Sequence, residues 1–77
     1  MGKYKIVVLT TGQKNSAQQK YNLVTRHKIN ADIKIYKTTG GELYSVEVGP
    51  YSERKRVLQD IDKIKGIGIP NAFITNA

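Results

Sequence analysis

The chain has 77 residues, enough for one domain with a small hydrophobic core and too few for a large substrate cavity. It contains no cysteine, so disulfides, thiolate nucleophiles and zinc sites built from cysteine are excluded. Its formal net charge is +7, from 13 Lys and Arg against 6 Asp and Glu. This charge favours an anionic partner such as nucleic acid, anionic lipid or an anionic wall polymer, and a solvated basic surface explains it equally well.

The longest apolar run, residues 6–9, is far too short to cross a bilayer. The chain also opens without a charged and apolar leader that ends in a cleavage site. We therefore expect no membrane insertion. The protein is expected to be either cytosolic or a domain of a longer exported protein.

The first half of the chain predicts a strand, a helix and a second strand. Residues 3–9 are β-branched and apolar, which is typical of a strand partly covered on both faces. Ser16 stands three residues before a glutamine, the spacing of a capping box, and apolar side chains then recur at helical intervals over 16–28. Ile33 and Ile35 alternate with polar residues and indicate a half-buried strand.

The second half repeats this order after a turn. Residues 43–48 alternate as a third strand, and Gly49-Pro50 should stop it because proline cannot donate to a strand ladder. Ser52 is expected to cap a second helix, and residues 70–75 supply a final strand. The predicted buried stripe of the second helix comprises Val57, Leu58, Ile61 and Ile64.

The order βαββαβ is supported by an internal repeat. When the sequence is compared with itself at an offset of forty residues, eight core-type positions superpose, among them Tyr4 on Tyr44 and Val8 on Val48. Two such halves close most simply into an α+β, ferredoxin-like fold. We expect one domain over residues 3–75, with a four-stranded antiparallel sheet, the first and third strands in its centre and both helices on one face.

Strand alternation assigns side chains to the two faces of the sheet. The helix face is predicted to carry Tyr4, Ile6, Val8, Ile33, Ile35, Tyr44, Val46, Val48 and Phe73. The face away from the helices, the open face, is predicted to carry Lys5, Val7, Leu9, Lys34, Tyr36, Leu43, Ser45, Glu47, Ala72 and Ile74. So many apolar side chains on an uncovered face indicate a contact surface. The alternative is that Leu9 and Leu43, at strand ends, pack under loops.

The segment from Tyr44 to Tyr51, YSVEVGPY, resembles the second-half signature of the SPOR domain. That signature has an aromatic residue, alternating valines and Gly-Pro-aromatic, followed by a helix that opens with a small polar residue. Residues 4–9 resemble the first-half strand of the same family, so the likeness covers almost the whole chain.

The resemblance implies a non-enzymatic accessory module that binds peptidoglycan, with preference for glycan strands stripped of their peptide stems. It also implies a longer exported parent, such as a cell-wall hydrolase or division protein, that the module targets to the wall, septum or periplasm. Glycan strands are the implied partner and anionic wall polymers a further one. No cofactor or metal and no specific nucleic acid is expected, and the chain should be a monomer.

In this family the ligand lies across the open face. The family's frequent first-strand glutamine falls on Val7, its glycine on Leu9 and its serine on Thr10, so that only Thr10 keeps the chemistry. These departures imply a different ligand pose or a modified glycan. The predicted glycan-binding residues are Lys5, Val7, Leu9, Thr10, Gln13, Lys34, Tyr36, Leu43, Ser45, Glu47 and Ile74.

Four of these residues have a specific expected role. Tyr36 would supply a stacking ring for a sugar. Lys5 and Lys34 would meet the lactyl carboxylates that stem removal exposes. Glu47 would either accept hydrogen bonds from sugar hydroxyls or pair with Lys5.

Two other classes of function fit the same pattern less well. An RNA-recognition module shares the βαββαβ order and a basic surface, but it needs exposed aromatic residues where this chain has Val7, Ser45 and Glu47. An enzyme lacks support because His27 is the only histidine and no carboxylate pair shares a helical face. A protein-interaction domain would use the same surface as a glycan-binding one.

Overall fold

The computed structural model, which describes residues 2–77, has the predicted order of elements. They are β1 (Tyr4–Thr11), α1 (Lys14–Arg26), β2 (Ala31–Thr38), β3 (Gly41–Tyr51), α2 (Arg54–Gly66) and β4 (Phe73–Asn76). The strands form one antiparallel sheet in the order β2-β3-β1-β4. The first and third strands are therefore central, and the predicted ferredoxin-like α+β arrangement is confirmed.

The core lies between the sheet and the two helices. Val57, Ile61 and Ile64 of α2 recur at helical intervals and are buried against the central strands. Leu58 is 40% exposed, so its predicted place in the buried stripe was wrong; it lies about 100° around the helix from Val57. The buried cluster comprises Ile6, Val8, Ala17, Val24, Ile29, Val46, Val48, Val57, Ile61, Ile64, Ile69 and Ala72.

Both helices differ from the predicted ones at their first turns. Helix α1 begins at Lys14 with Gln13 in the N-cap position, two residues before the predicted start. Ser16 is thus inside the helix, where its hydroxyl donates to Oε1 of Gln13 at 3.1 Å. Helix α2 follows Glu53 in the N-cap position, where Ser52 was predicted.

A bulge in β1 changes which side chains reach the open face. Val7 pairs with Glu47 but Leu9 pairs with Val46, so β1 has one more residue than β3 in this stretch. Directly paired residues share a face, and Val46 is fully buried in the core. Leu9 accordingly packs against the core, and its predicted place on the open face was wrong. Thr10, now opposite Ser45, takes that place.

A second irregularity carries β3 through Gly49-Pro50, which was expected to end it. Tyr4 pairs with Tyr51 and Ile6 with Val48, so here β3 has the extra residue. A bulge tolerates proline because the bulged residue needs no ladder hydrogen bond. Gly49 has φ +132°, and a Cβ there would lie 3.2 Å from the carbonyl oxygen of Tyr4. Only glycine fits this position without strain.

Strand β4 has the opposite phase to the predicted one. Phe73 pairs with Val7 and Ile74 with Ile6, so Phe73 lies on the open face and Ile74 faces the helices. Phe73 is 53% exposed, whereas Ala72 is buried in the core and Ile74 packs against it. The prediction was wrong because three successive apolar residues contain no alternation from which a phase can be read.

The phase of β4 can be tested by comparing Ile74→Ala with Phe73→Ala. Because Ile74 packs on the core, its truncation should lower the free energy of unfolding by about 1–2 kcal/mol. Truncation of the exposed Phe73 should change it by less than about 0.5 kcal/mol. Urea unfolding followed by circular dichroism measures both, and the reverse ranking would contradict the register.

Candidate functional site on the open face of the sheet

The open face collects side chains from all four strands in rows that cross the sheet. Eight of the predicted site residues lie on it, whereas Leu9 and Ile74 do not, and exposed Gln13 lies outside the strands, at the start of α1. Asp32, Phe73 and Thr75 join the face without having been predicted as site residues. The rows are Asp32–Glu47–Val7–Phe73, Lys34–Ser45–Thr10, Tyr36–Leu43 and Lys5–Thr75.

The centre of the face is a hydrogen-bonded group around one carboxylate, which we call the Glu47 cluster: Lys5, Thr10, Tyr36, Ser45 and Glu47. Oε2 of Glu47 accepts hydrogen bonds from the hydroxyls of Tyr36 and Ser45, both at 2.9 Å. Oε1 accepts one from Nζ of Lys5 at 3.2 Å. The hydroxyls of Ser45 and Thr10 are 3.3 Å apart. Three neighbouring strands are thereby joined through one side chain.

The cluster keeps Glu47 ionised although its side chain is buried. Glu47 is 6% exposed, and this burial acts to raise its pKa. The hydrogen bonds from Ser45, Tyr36 and Lys5 outweigh burial and leave the pKa of Glu47 below its ordinary value. The hydrogen bond to Glu47 likewise raises the pKa of Lys5. Of the two roles considered for Glu47, the structure shows the pairing with Lys5.

Apolar side chains border this polar centre on two sides. Tyr36 and Leu43 form one exposed pair where β2 and β3 run toward their hairpin, and Phe73 is exposed on β4 at the opposite edge. Val7 was predicted to be exposed among them, but it is only 8% exposed and belongs to the floor between Glu47 and Phe73. The surface available to a ligand is thus a buried polar floor between exposed rings.

The open face is close to electrically neutral, in contrast to the whole chain. It carries two cations, Lys5 and Lys34, and two carboxylates, Asp32 and Glu47. Lys5–Glu47 is the one ion pair within residues 2–77, so Lys34 remains unpaired. The four charged side chains line a shallow cavity of about 210 Å³ that extends to Gly49 and Pro50. Such a surface suits an extended ligand with apolar faces and polar edges better than a polyanion.

The part of the chain that the structure describes has neither a cluster of metal-binding side chains nor a membrane-spanning helix. No three His, Cys, Asp or Glu residues there are placed to hold a metal ion. Neither helix is long and apolar enough to span a membrane.

Two solved structures share this fold. The SPOR domain of RlpA from Pseudomonas aeruginosa has a TM-score of 0.84 and 13% sequence identity, over 96% of this chain and 99% of that one. The peptidoglycan binding domain of the B. subtilis cell wall lytic enzyme CwlC has a TM-score of 0.73 and 19% identity, over 100% of this chain and 91% of that one. No curated protein sequence matches the chain significantly.

The family comparison agrees with the motif found in β3. The family model of the SPOR domain matches residues 1–76, nearly the full length, which confirms the resemblance inferred from YSVEVGPY. The chain belongs to the SPOR domain family.

Proposed function

We propose that this chain is a peptidoglycan-binding module that docks on glycan strands through the open face of its sheet. The observation that supports this proposal most strongly is the floor of the open face, where buried Ser45 and Glu47 are hydrogen-bonded, with the exposed rings of Tyr36 and Phe73 on either side. Membership of the SPOR family, whose members are binding domains, supports a non-enzymatic role. The structural neighbour from CwlC is itself described as a peptidoglycan binding domain.

The chemistry of the open face matches that of a sugar chain. Pyranose rings have apolar C–H faces that pack on aromatic and aliphatic side chains, here Tyr36, Leu43 and Phe73. Hydroxyl and acetamido groups at the ring edges can exchange hydrogen bonds with Thr10 and with the ammonium of Lys34. A nearly neutral surface binds such a chain without a large desolvation penalty.

A preference for stem-free glycan is part of the proposal. Removal of a stem peptide converts a lactyl amide into a free carboxylate and also removes a bulky branch. Lys34 has no ion-pair partner in residues 2–77 and can meet this carboxylate by a charge-assisted hydrogen bond. Lys5 is committed to Glu47 and is less available than expected from the sequence.

The module is proposed to act by targeting. A small binding domain attached to a longer wall hydrolase or division protein would raise that protein's local concentration on stem-free glycan. This role places the chain in the bacterial envelope, at the wall or septum. The protein-interaction alternative would use the same rings of Tyr36 and Phe73.

The RNA-binding alternative is less favoured by the geometry. The central strands present Val7, Ser45 and Glu47, all buried, where an RNA-recognition module needs exposed rings. The face also carries equal numbers of positive and negative side chains, which gives phosphates no net attraction.

The glycan-binding proposal can be tested with Phe73→Ala and a matched control, Leu58→Ala. Both truncate an exposed apolar side chain, but Leu58 lies on α2. Retention on purified sacculi should fall about fivefold for Phe73→Ala, since a stacking contact is worth about 1 kcal/mol, and should not change for Leu58→Ala. Pre-treatment of the sacculi with an amidase that removes stems should increase retention of the unmodified chain. Equal retention of both variants, or no response to the amidase, would contradict the proposal.

The Glu47 cluster yields a prediction on stability and pH. Because the folded-state pKa of Glu47 is lowered, the ionised group stabilises the fold above its unfolded pKa, and this stabilisation disappears as pH falls through the folded value. Glu47→Gln should therefore lower the free energy of unfolding at pH 7 by about 1–3 kcal/mol, and the difference from the unmodified chain should shrink on acidification below about pH 4.

Urea unfolding at pH 7 and pH 3 measures both effects. Asp62→Asn serves as control because Asp62 is an exposed carboxylate on α2. If Glu47→Gln lowered the free energy of unfolding equally at both pH values, the shape of the Glu47 side chain, and not its ionisation, would supply the stability.

A further inference from the structure

A second cavity, of about 370 Å³, lies at the end of β3, where Val48, Gly49 and Pro50 also line the cavity of the open face. Three basic side chains border it: Lys28 from the turn after α1, and Arg56 and Lys63 from α2. We call it the basic cavity. Its lining comprises Lys28, Ile29, Asn30, Val48, Gly49, Pro50, Tyr51, Arg56, Asp60 and Lys63.

The basic cavity has an excess of positive charge that the protein itself does not neutralise. Lys28, Arg56 and Lys63 form no ion pair with any residue of 2–77. The single carboxylate in the lining is Asp60, which accepts a hydrogen bond from the hydroxyl of Tyr51. Three cations against one carboxylate leave a local charge of +2, whereas the open face is balanced.

The cations are brought together by two separate elements. Arg56, Asp60 and Lys63 lie four and three residues apart and so share one face of α2. Lys28 has φ +63°, a left-handed conformation that glycine or asparagine adopts at lower cost. This conformation ends α1: the backbone N–H of Lys28 donates to the carbonyl of Thr25 and that of Ile29 to the carbonyl of Val24. The turn thereby brings Lys28 to the lining of the cavity, next to the two cations of α2.

We propose that the basic cavity binds phosphate groups of a phosphodiester-linked anionic polymer attached to the wall. Arginine matches phosphate with two parallel hydrogen bonds, and lysines add point charges. The wall as the source of the polymer rests on the proposed function. The cavity of the open face and the basic cavity share Val48, Gly49 and Pro50 in their linings, so a polymer tied to a glycan on the open face would have only this segment to cross. When one wall polymer occupies both the open face and the basic cavity, the second contact forms at a high effective concentration, and the overall affinity exceeds that of either contact alone.

The test compares two triple variants with the same change in net charge, from +7 to +4. The cavity variant is Lys28→Gln, Arg56→Gln, Lys63→Gln. The control variant is Lys14→Gln, Arg54→Gln, Lys65→Gln, whose residues do not line the cavity. The probes are soluble poly(glycerol phosphate), inorganic phosphate and a single-stranded RNA of equal charge, with binding followed by amide chemical shifts.

The cavity variant should bind poly(glycerol phosphate) about tenfold more weakly and the control variant less than about threefold, because only the former loses charge-assisted contacts. Shifts caused by inorganic phosphate should centre on residues 28–30 and the α2 face of Arg56. Equal losses in the two variants, or tighter binding of RNA than of poly(glycerol phosphate), would overturn the proposal.

A single substitution separates binding from folding. Lys28→Gly removes one cation and relieves the left-handed strain, so it should raise the midpoint of urea unfolding while it weakens binding of poly(glycerol phosphate). An unchanged affinity in this variant, despite the lost cation, would argue against the cavity as the site.

Sacculi distinguish this site from the open face. On sacculi stripped of phosphate polymers by hydrofluoric acid, the cavity variant should be retained as well as the unmodified chain, whereas on unstripped sacculi it should be retained less. If Phe73→Ala also had no effect on stripped sacculi, the glycan proposal would fail while the solution measurements would still decide the phosphate site.

Discussion

The hydrogen bonds to Glu47 are the interaction on which the open face depends. A carboxylate buried in a sheet is costly unless its oxygens are fully paired. Here the donors come from β1, β2 and β3, so the charge is satisfied only when these strands hold their register. A slip of one residue would bring a side chain of the other face opposite Glu47. The cluster therefore adds a specific polar constraint on the open face to the apolar packing of a small core on the other side of the sheet.

The same constraint shapes the surface offered to a ligand. With their polar atoms engaged, Ser45 and Glu47 form a fixed floor. At the margins, Leu43 and Phe73 are exposed, and the exposed ring of Tyr36 is held in place by its hydrogen bond to Glu47. Pre-organised polar groups reduce the ordering cost of binding, and rings with few rotatable bonds add contact area at low entropic cost. Recognition on this face is thus expected to depend more on shape and stacking than on net charge.

The fold was largely predictable from the sequence because apolar residues that recur at regular strand or helix intervals indicate which side chains are buried. The order of elements, the central position of β1 and β3, and the buried residues of α2 at 57, 61 and 64 follow from alternation and helical spacing. The site was less predictable, since its composition depends on where alternation breaks. The bulge after Val7 moved Leu9 into the core and Thr10 onto the open face. Because residues 6–9 are all apolar, the sequence does not indicate which of them is the extra residue of the bulge.

Phe73 illustrates the same limit at the other edge of the sheet. Its neighbours Ala72 and Ile74 are also apolar, so the hydrophobic pattern does not indicate which of these three side chains point toward the helices. Strand pairing decides the phase: Ile74 lies opposite Ile6, which is fully buried in the core and pairs with Val48 of β3 on its other side. An exposed aromatic ring is then forced onto the open face, beside Val7. The side chain best suited to stack on a sugar is placed there by the packing needs of its neighbours, and for that reason it could be located only once the pairing of β4 with β1 was known.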